Sequence, residues 1–252
     1  MSEYTNLIIC CAGDKSLHIN WVALNSSYDL MILYYGTDAN IAEKYKATST
    51  YFFQQKGYKF ELLRNIVAPL YDNGSLAQYK YIWLPDEDLE ISSEQLERMF
   101  ILADERDVDI WQPSIANHLE PQRFNRSKKW LSWAGTDVQN GGIGYRRINY
   151  PEVMMPGFSA WAFRHIFLVS LKLFPKANVG WVLHAVWDTL SKHYHSNGFV
   201  KNYIFDDIQV YHTIPVNFGS MMHTIGNAEY KLYQANVTLG DFKTCSIAEA
   251  LP

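Results

Sequence analysis

The chain has 252 residues, of which 48% are hydrophobic and 19% are charged, so it contains enough apolar material for one large packed domain. Its net charge of −4, without a concentrated basic face, excludes a duplex-DNA-binding protein. The N-terminus lacks the basic region of a signal peptide, and charged side chains interrupt the longest apolar stretch, so we expect a soluble cytoplasmic protein without an integral membrane segment.

The first half of the chain alternates apolar runs with amphipathic segments, a pattern typical of βαβ units. The apolar runs predict strands at Asn6–Ala12, Tyr28–Tyr35, Tyr79–Leu84 and Val108–Gln112. The amphipathic segments predict helices at Ile41–Lys56, at Glu61–Leu70, and from a capping box at Ser92 and Gln95 to about Arg106. Together they predict an α/β domain with a mainly parallel, Rossmann-like central sheet flanked by helices.

The second half begins with a stretch from Ala116 to Gly144 that is polar, rich in glycine and without periodicity. A loop of this length in a compact domain is usually functional or mobile. Regular patterns then resume and predict a strand at Glu152–Ser159, helices at Trp161–Phe174 and Trp181–Tyr194, and a last strand at Val200–His212. A short basic cluster at Arg123–Lys129 fits a solvated loop, with a phosphate-bearing acceptor or a peripheral membrane contact as the alternatives.

The most informative stretch is YKYIWLPDEDLEI at Tyr79–Ile91, an apolar run that ends in three acids. Side chains alternate along an extended chain, so Asp86 and Asp88 can point the same way while Glu87 points elsewhere. Ligands of open α/β sheets bind beyond the carboxyl ends of the strands, and paired carboxylates suit a hard divalent cation that also holds a diphosphate. The alternative is a strand-to-helix turn in which the acids cap the next helix.

Other acids and histidines recur at predicted element ends. His212 closes the last strand and is a reasonable further metal ligand, or a histidine bonded to backbone at a turn. Asp206 and Asp207 alternate in direction, so one of them can face a site as a general base. His184 and Asp188 share one helix face, as an acid/base pair or a structural pair.

The turn after the first strand, GDKSLH, contains small and polar residues that suit a nucleotide base or ribose, or form an ordinary turn. The candidates for cofactor binding there are Gly13, Asp14, Ser16 and His18. Lys59 and Arg64 could approach a diphosphate, or they are solvated residues on a helix. No GxGxxG follows the first strand, and the three cysteines form neither a disulfide framework nor a metal pattern.

Taken together, these segments resemble the DUF707 family, whose members look like fold-A (GT-A) glycosyltransferases. The matching pieces are GDKSLH, YDLMILYYG, YKYIWLPDEDLEI, DIWQPS, RRINYPEVMMPGFS, GWVLHAVW and IFDDIQVYHTIPV, in order between residues 13 and 216. The resemblance implies a single GT-A-like domain with a nucleotide-binding half (1–115), a mobile loop (116–145), an acceptor half (146–220) and a C-terminal tail (221–252).

The resemblance also implies site chemistry. Asp86 and Asp88 match a DxD-type motif that holds Mn²⁺ or Mg²⁺, Glu152 lies near the acceptor or sugar, and His212 contacts metal or phosphate. The chain has GWVLH where the family often has GWGLD, so His184 replaces the usual acid and Asp188 could substitute for it.

The implied function is transfer of a sugar from a UDP- or GDP-linked donor to a saccharide or other hydroxyl acceptor, with bacterial polysaccharide biosynthesis as the setting. Asp206, Asp207, Asp188 or Glu152 would deprotonate the acceptor. Two alternatives stay open at this point. One is a protein that binds sugar or nucleotide without turnover, and the other is a metal-dependent sugar-nucleotide hydrolase.

Overall fold

The computed structural model describes residues 5–22, 26–120, 122–123, 136–149, 151–195, 200–214, 224–229 and 231. Most of the predicted basic cluster, the middle of the predicted 116–145 loop and most of the predicted C-terminal tail lie outside these residues. Among the described helices, none combines the length and the apolar composition that crossing a bilayer requires.

A nine-stranded sheet forms the centre of the described fold. Its strands are β1 (Asn6–Ala12), β2 (Tyr28–Tyr34), β3 (Tyr51–Gln54), β4 (Tyr81–Trp83), β5 (Leu89–Glu90), β6 (Ile110–Ile115), β7 (Tyr145–Arg147), β8 (Gly157–Ser159) and β9 (Asn202–His212). They lie in the order β3-β2-β1-β4-β8-β6-β9-β5, and β7 pairs with β9. β1, β2, β3, β4, β6 and β9 run in one direction, whereas β5, β7 and β8 are antiparallel to their neighbours. The predicted mainly parallel α/β sheet is therefore confirmed.

Helices cover both faces of this sheet. They are α1 (Ala39–Ala47), α2 (Lys59–Leu62), α3 (Ala68–Asp72), α4 (Ser93–Glu105), α5 (Ala160–Ala162), α6 (Leu168–Leu173) and α7 (Leu183–Tyr194). Single π-helical turns, Leu63–Val67 and Phe163–Phe167, join α2 to α3 and α5 to α6.

Two hydrophobic cores form because successive side chains of a strand point to opposite faces. In β1, Leu7, Ile9 and Cys11 enter the core under α2, α6 and α7, whereas Ile8 and Cys10 enter the core under α1 and α4. A strand buried on both faces is apolar throughout, which explains the continuous apolar run in the sequence.

The structure corrects three predicted boundaries. The helix predicted at Ile41–Lys56 ends at Ala47, because the hydroxyls of Thr48 and Ser49 bond to the carbonyl of Tyr45 and the aromatic segment that follows pairs as β3. The strand predicted to stop before Pro113 continues to Ile115, with a shift in its register to β9 directly after the proline. Proline has no N–H for the ladder, so it lies where the pairing is interrupted.

The third correction concerns the strand predicted at Glu152–Ser159, of which only Gly157–Ser159 pairs, as β8. Backbone carbonyls of the preceding residues bond elsewhere: Met154 accepts from the backbone N–H of Asp86, and Pro156 from that of Leu84. This segment therefore packs against the acidic turn that follows β4.

Candidate active site

The three acids predicted from the sequence lie directly after β4, at the carboxyl edge of the parallel strands. β5 begins after Asp88 and pairs antiparallel with β9, with Leu89 opposite His212. The backbone N–H and hydroxyl of Thr213 both donate to the carbonyl of Asp88, at 3.0 and 2.8 Å. This short ladder brings the end of β9 against the acidic turn.

Asp88 and His212 form a nearly buried pair. Asp88 Oδ2 lies 2.9 Å from His212 Nε2, and the side chains are 14% and 11% exposed. No donor among the described residues reaches the other carboxylate oxygen, Asp88 Oδ1, although it is buried. Burial alone would lower the pKa of His212, but the carboxylates of Asp88, Asp86 and Glu152 outweigh it and raise that pKa above its ordinary value.

Asp86 has a different partner. Lys59 Nζ lies 2.7 Å from Asp86 Oδ1, and the same ammonium donates to the backbone carbonyls of Val153 and Met154, each at 3.0 Å. Burial raises the pKa of Asp86, and the Lys59 ammonium opposes that rise. Lys59 therefore joins the acidic turn to the 153–154 segment.

Glu87, the middle acid, has a third set of partners. Its carboxylate accepts from the backbone N–H of Gly13 and from the hydroxyl of Tyr35. Its backbone carbonyl accepts from the N–H of Leu17 at 2.8 Å. The middle acid thus ties the turn after β1 to the turn after β4.

Glu152 completes the cluster. Its backbone N–H donates to Gln112 Oε1 at 2.6 Å, and its carboxylate accepts from the N–H of Val153 at 3.0 Å. Burial raises the pKa of Glu152, and the negative charge of Asp86 raises it further. Glu152 directly precedes Val153 and Met154, whose carbonyls accept from Lys59, so the backbone brings it to the acidic turn.

The structure places the predicted cofactor-binding residues of the first turn at two depths. Asp14 is exposed and accepts from the hydroxyl of Tyr34, which lowers the pKa of Asp14, while the backbone of Gly13 binds Glu87. Ser16 and His18 instead lie in the interior, with Ser16 Oγ 2.7 Å from His18 Nδ1. Burial lowers the pKa of His18 to about 4, so this ring is neutral.

The predicted bases Asp206 and Asp207 lie within β9 and bind the segment before and including β7. Asp206 is fully buried, lies 3.1 Å from Arg146 Nε and accepts from the N–H of Gln139 at 3.1 Å. Asp207 is exposed and accepts from the N–H of Gly144 at 2.7 Å. Each therefore has a structural partner in residues 139–146.

His184 and Asp188 lie one turn apart on α7, as predicted. Asp188 is 5% exposed, and its Oδ2 lies 2.6 Å from Lys192 Nζ. Burial lowers the pKa of His184 to about 4.

Among the side chains described above, the structure brings Asp86, Asp88, Glu152, His212 and Lys59 into one cluster.

Asn117 is a residue of the site that sequence reasoning missed. Its amide brackets the backbone of His212, donating to the carbonyl at 2.7 Å and accepting from the N–H at 2.8 Å. The two residues are 95 positions apart. An asparagine after a strand carries no signal that would have identified this contact.

The donor atoms of the cluster fit a divalent cation. Asp88 Oδ1, a carboxylate oxygen to which no described residue donates, suits Mn²⁺ or Mg²⁺, and the neighbouring imidazole in its neutral form is a ligand for transition-metal ions. The described residues contain no group of three His, Cys, Asp or Glu side chains arranged to hold a metal. Mg²⁺ is usually bound by one or two carboxylates together with substrate phosphates, so a site with few protein ligands still fits this chemistry.

Comparison with solved structures identifies the fold. GalNAc-T7, whose structure contains UDP, GalNAc and Mn²⁺, is similar with a TM-score of 0.58 and 9% identity over 92% of this chain and 48% of its own. TarS (residues 1–349) of S. aureus, in complex with UDP-GlcNAc, has a TM-score of 0.52 and 11% identity over 98% of this chain and 70% of its own. The chain spans about half the length of GalNAc-T7.

These similarities confirm the predicted GT-A-like fold, with a mixed α/β architecture around a mainly parallel sheet. No protein-family model matches the sequence, so the resemblance to the DUF707 family stays a prediction. No curated protein sequence matches the chain either.

Proposed function

We propose that the chain is a metal-dependent glycosyltransferase that transfers a sugar from a nucleoside-diphosphate donor to a hydroxyl acceptor. The observation that carries the proposal is the Asp88–His212 pair with its buried carboxylate oxygen, to which no described residue donates. The pair lies beyond the carboxyl ends of parallel strands, where α/β sheets bind their ligands. The GT-A-like fold agrees with this reaction class, because both compared structures contain nucleotide or nucleotide-sugar ligands.

In this proposal Asp88 and His212 hold Mn²⁺ or Mg²⁺. The ion, when bound, supplies a Lewis acid for charge on the leaving nucleoside diphosphate. Asn117 holds the backbone of His212 on both sides, which keeps the imidazole against Asp88. Asp14, which is exposed in the turn after β1, is the proposed contact with the nucleoside, and the donor is UDP- or GDP-linked.

Glu152 is the proposed general base for the acceptor hydroxyl. Its pKa is raised toward neutral pH, and a carboxylate with a higher pKa is a stronger base for a hydroxyl proton. Asp206 and Asp207 suit this role less well, because Asp206 is paired with Arg146 and Asp207 binds the backbone of Gly144. A saccharide acceptor would then approach from the side of the 152–154 segment.

The test is calorimetric binding of UDP and of GDP, with and without Mn²⁺, to the unaltered protein, Asp88→Asn and Glu87→Gln. We expect one nucleotide to bind in a metal-dependent way, and Asp88→Asn to weaken that binding at least about ten-fold. Glu87→Gln removes the same charge from the neighbouring acid and should keep metal-dependent binding. If neither nucleotide binds under any metal condition, the proposal is wrong.

Binding alone does not distinguish a transferase from a hydrolase or from an inactive binding protein. A screen of sugar donors of the chosen nucleotide, with and without saccharide acceptors, makes that distinction. A transferase releases nucleoside diphosphate faster when its acceptor is present. Donor hydrolysis that no acceptor changes would contradict the proposed transfer reaction.

A further inference from the structure

We propose that Gln112 is a positioning residue whose side-chain amide fixes the backbone of Glu152 beside the acidic turn. Glu152 is the general base of the proposed function, on which this inference rests and which it deepens by naming what holds the base in place. Gln112 touches neither donor nor acceptor in this assignment and acts through Glu152.

The backbone pairing between β6 and β8 ends one residue before Gln112. Trp111 lies opposite Gly157, and the next residue on that side, Pro156, has no N–H with which to continue the ladder. The carbonyl of Pro156 instead accepts from the N–H of Leu84 at 2.8 Å. The segment before β8 therefore leaves β6 and bonds to the chain that directly follows β4.

The side chain of Gln112 bridges the gap that this divergence opens. Its Oε1 accepts from the backbone N–H of Glu152 at 2.6 Å, and the residue is fully buried. The N–H of Glu152 needs an oxygen acceptor, so the same bond fixes which way the amide of Gln112 points. Its Nε2 is buried, and no described residue accepts from it. Because packing in the sheet holds this side chain, it can act as a fixed anchor for Glu152.

Other contacts hold the residues that follow Glu152. The carbonyls of residues 153–155 accept from the Lys59 ammonium and from the indole N–H of Trp83. These bonds set the segment against β4, but they do not involve the backbone of Glu152. Within the part of the chain that the structure describes, Gln112 is the residue that bonds this backbone to another element.

A fixed backbone matters here because of what the Glu152 side chain has to do. Glu152 is partly exposed, whereas its neighbours Pro151 and Val153 are buried, so an acceptor can approach its carboxylate. A general base must lie within hydrogen-bond reach of the proton that it removes. A misplacement of about 1 Å can cost about 100-fold in rate, so the bond from Gln112 bears directly on the proposed reaction.

The first experiment measures kcat of sugar transfer and nucleotide affinity with the donor and acceptor that the screen identifies. We expect Gln112→Leu to lower kcat at least about 30-fold, because the base loses its position, while nucleotide affinity stays within about three-fold. The matched control is Ser114→Ala, two residues further along β6, which removes another buried side-chain bond, to the carbonyl of Ile208. It should leave both quantities within about three-fold of the unaltered protein.

Gln112→Glu is the rescue variant, because a carboxyl oxygen still accepts from the N–H of Glu152. Its kcat at the pH optimum should return to within about five-fold of the unaltered protein. The acidic limb of its kcat profile should move to higher pH by about one pH unit, since a second carboxylate beside Glu152 disfavours the ionised base. A side chain that only stabilised the fold would leave this limb in place.

Unchanged kcat in Gln112→Leu would overturn the inference, and so would a loss that Gln112→Glu does not restore. The variant Glu152→Gln identifies a different failure. We expect it to lower kcat by at least about 100-fold with nucleotide binding retained. If it keeps the transfer rate, Glu152 is not the base, and the proposed function is wrong in that part.

The second experiment needs neither donor nor acceptor. Amide hydrogen exchange at Glu152, followed by NMR, reports directly whether Gln112 holds this backbone. We expect exchange at least about ten-fold faster in Gln112→Leu, and within about three-fold of the unaltered protein in Gln112→Glu and Ser114→Ala. Equal exchange rates in Gln112→Leu and the unaltered protein would refute the inference, whatever the kinetic results.

Discussion

The adjacent acids Asp206 and Asp207 test whether a buried ion pair in β9 stabilises the fold and takes no part in the candidate site. Asp206 is fully buried, lies 3.1 Å from Arg146 Nε, whose side chain is 17% exposed, and accepts from the N–H of Gln139. Asp207 is exposed and has a backbone partner in Gly144. Replacing each by Asn removes the same charge from neighbouring positions of one strand.

We expect Asp206→Asn to lower the free energy of unfolding by about 3–5 kcal/mol, because it removes the charge of a fully buried carboxylate that is paired with the nearly buried Arg146 guanidinium. Asp207→Asn should cost no more than about 1 kcal/mol, since an exposed carboxylate gains little from a single hydrogen bond. Urea unfolding followed by tryptophan fluorescence measures both values under the same conditions.

Neither substitution should change Mn²⁺ affinity per mole of folded protein, because the acids bind residues 139–146 and not the Asp88–His212 pair. Equal small losses of stability for both variants would show that the Arg146–Asp206 contact contributes little. If Asp206→Asn abolished sugar transfer while its free energy of unfolding stayed unchanged, this residue would return to the catalytic role predicted from the sequence.

Three further predictions concern stability. Because burial lowers the pKa of His18 from 6.5 to about 4, the unfolded chain binds a proton over that range while the folded protein does not. Unfolding free energy should therefore fall by up to about 3 kcal/mol as the pH drops from 6.5 to 4, and His18→Phe should remove that part of the decline in urea titrations. Glu229 accepts from the N–H groups of residues 178–180 at 2.7–2.9 Å, so Glu229→Gln should cost about 1–3 kcal/mol and speed hydrogen exchange at those amides. Gly180→Ala should lower the free energy of unfolding by more than about 2 kcal/mol, because its φ is +88° and an added Cβ would lie 2.1 Å from a buried aromatic ring. Gly74→Ala has a similar φ of +84° but open space around the added Cβ, so it should lower the free energy of unfolding by only about 1 kcal/mol.

The elements that sequence analysis predicted best are those whose ends carry local chemical signals. β1 matches its predicted bounds, because the apolar run stops at Gly13, and α4 begins at the predicted capping box of Ser92 and Gln95. β3 was missed because its aromatic residues continue the apolar spacing of α1. Only the hydroxyl groups between the two elements mark the end of the helix.

The contacts within the candidate site could not be predicted in the same way. Lys59 and Asp86 are 27 positions apart, and nothing local distinguishes Lys59 from Arg64, which instead donates to the carbonyls of Phe174 and Ala177. Such pairs depend on which loops meet at the edge of the sheet. That in turn depends on strand order, including the antiparallel β8 between β4 and β6, which the sequence pattern did not reveal.

The fold rules out one of the two interpretations of the acidic triad that the sequence left open. Acids that cap a helix must lie at its first turn, but β5 follows Asp88 directly and the side chain of Ser92 caps α4. The capping interpretation is therefore wrong for all three acids. Side chains alternate along the extended chain, so Glu87 points to the turn after β1 and accepts from the N–H of Gly13. Asp86 points the other way and accepts from Lys59. Asp88 is left with a buried oxygen that no described donor reaches, and the proposed cation site rests on that oxygen.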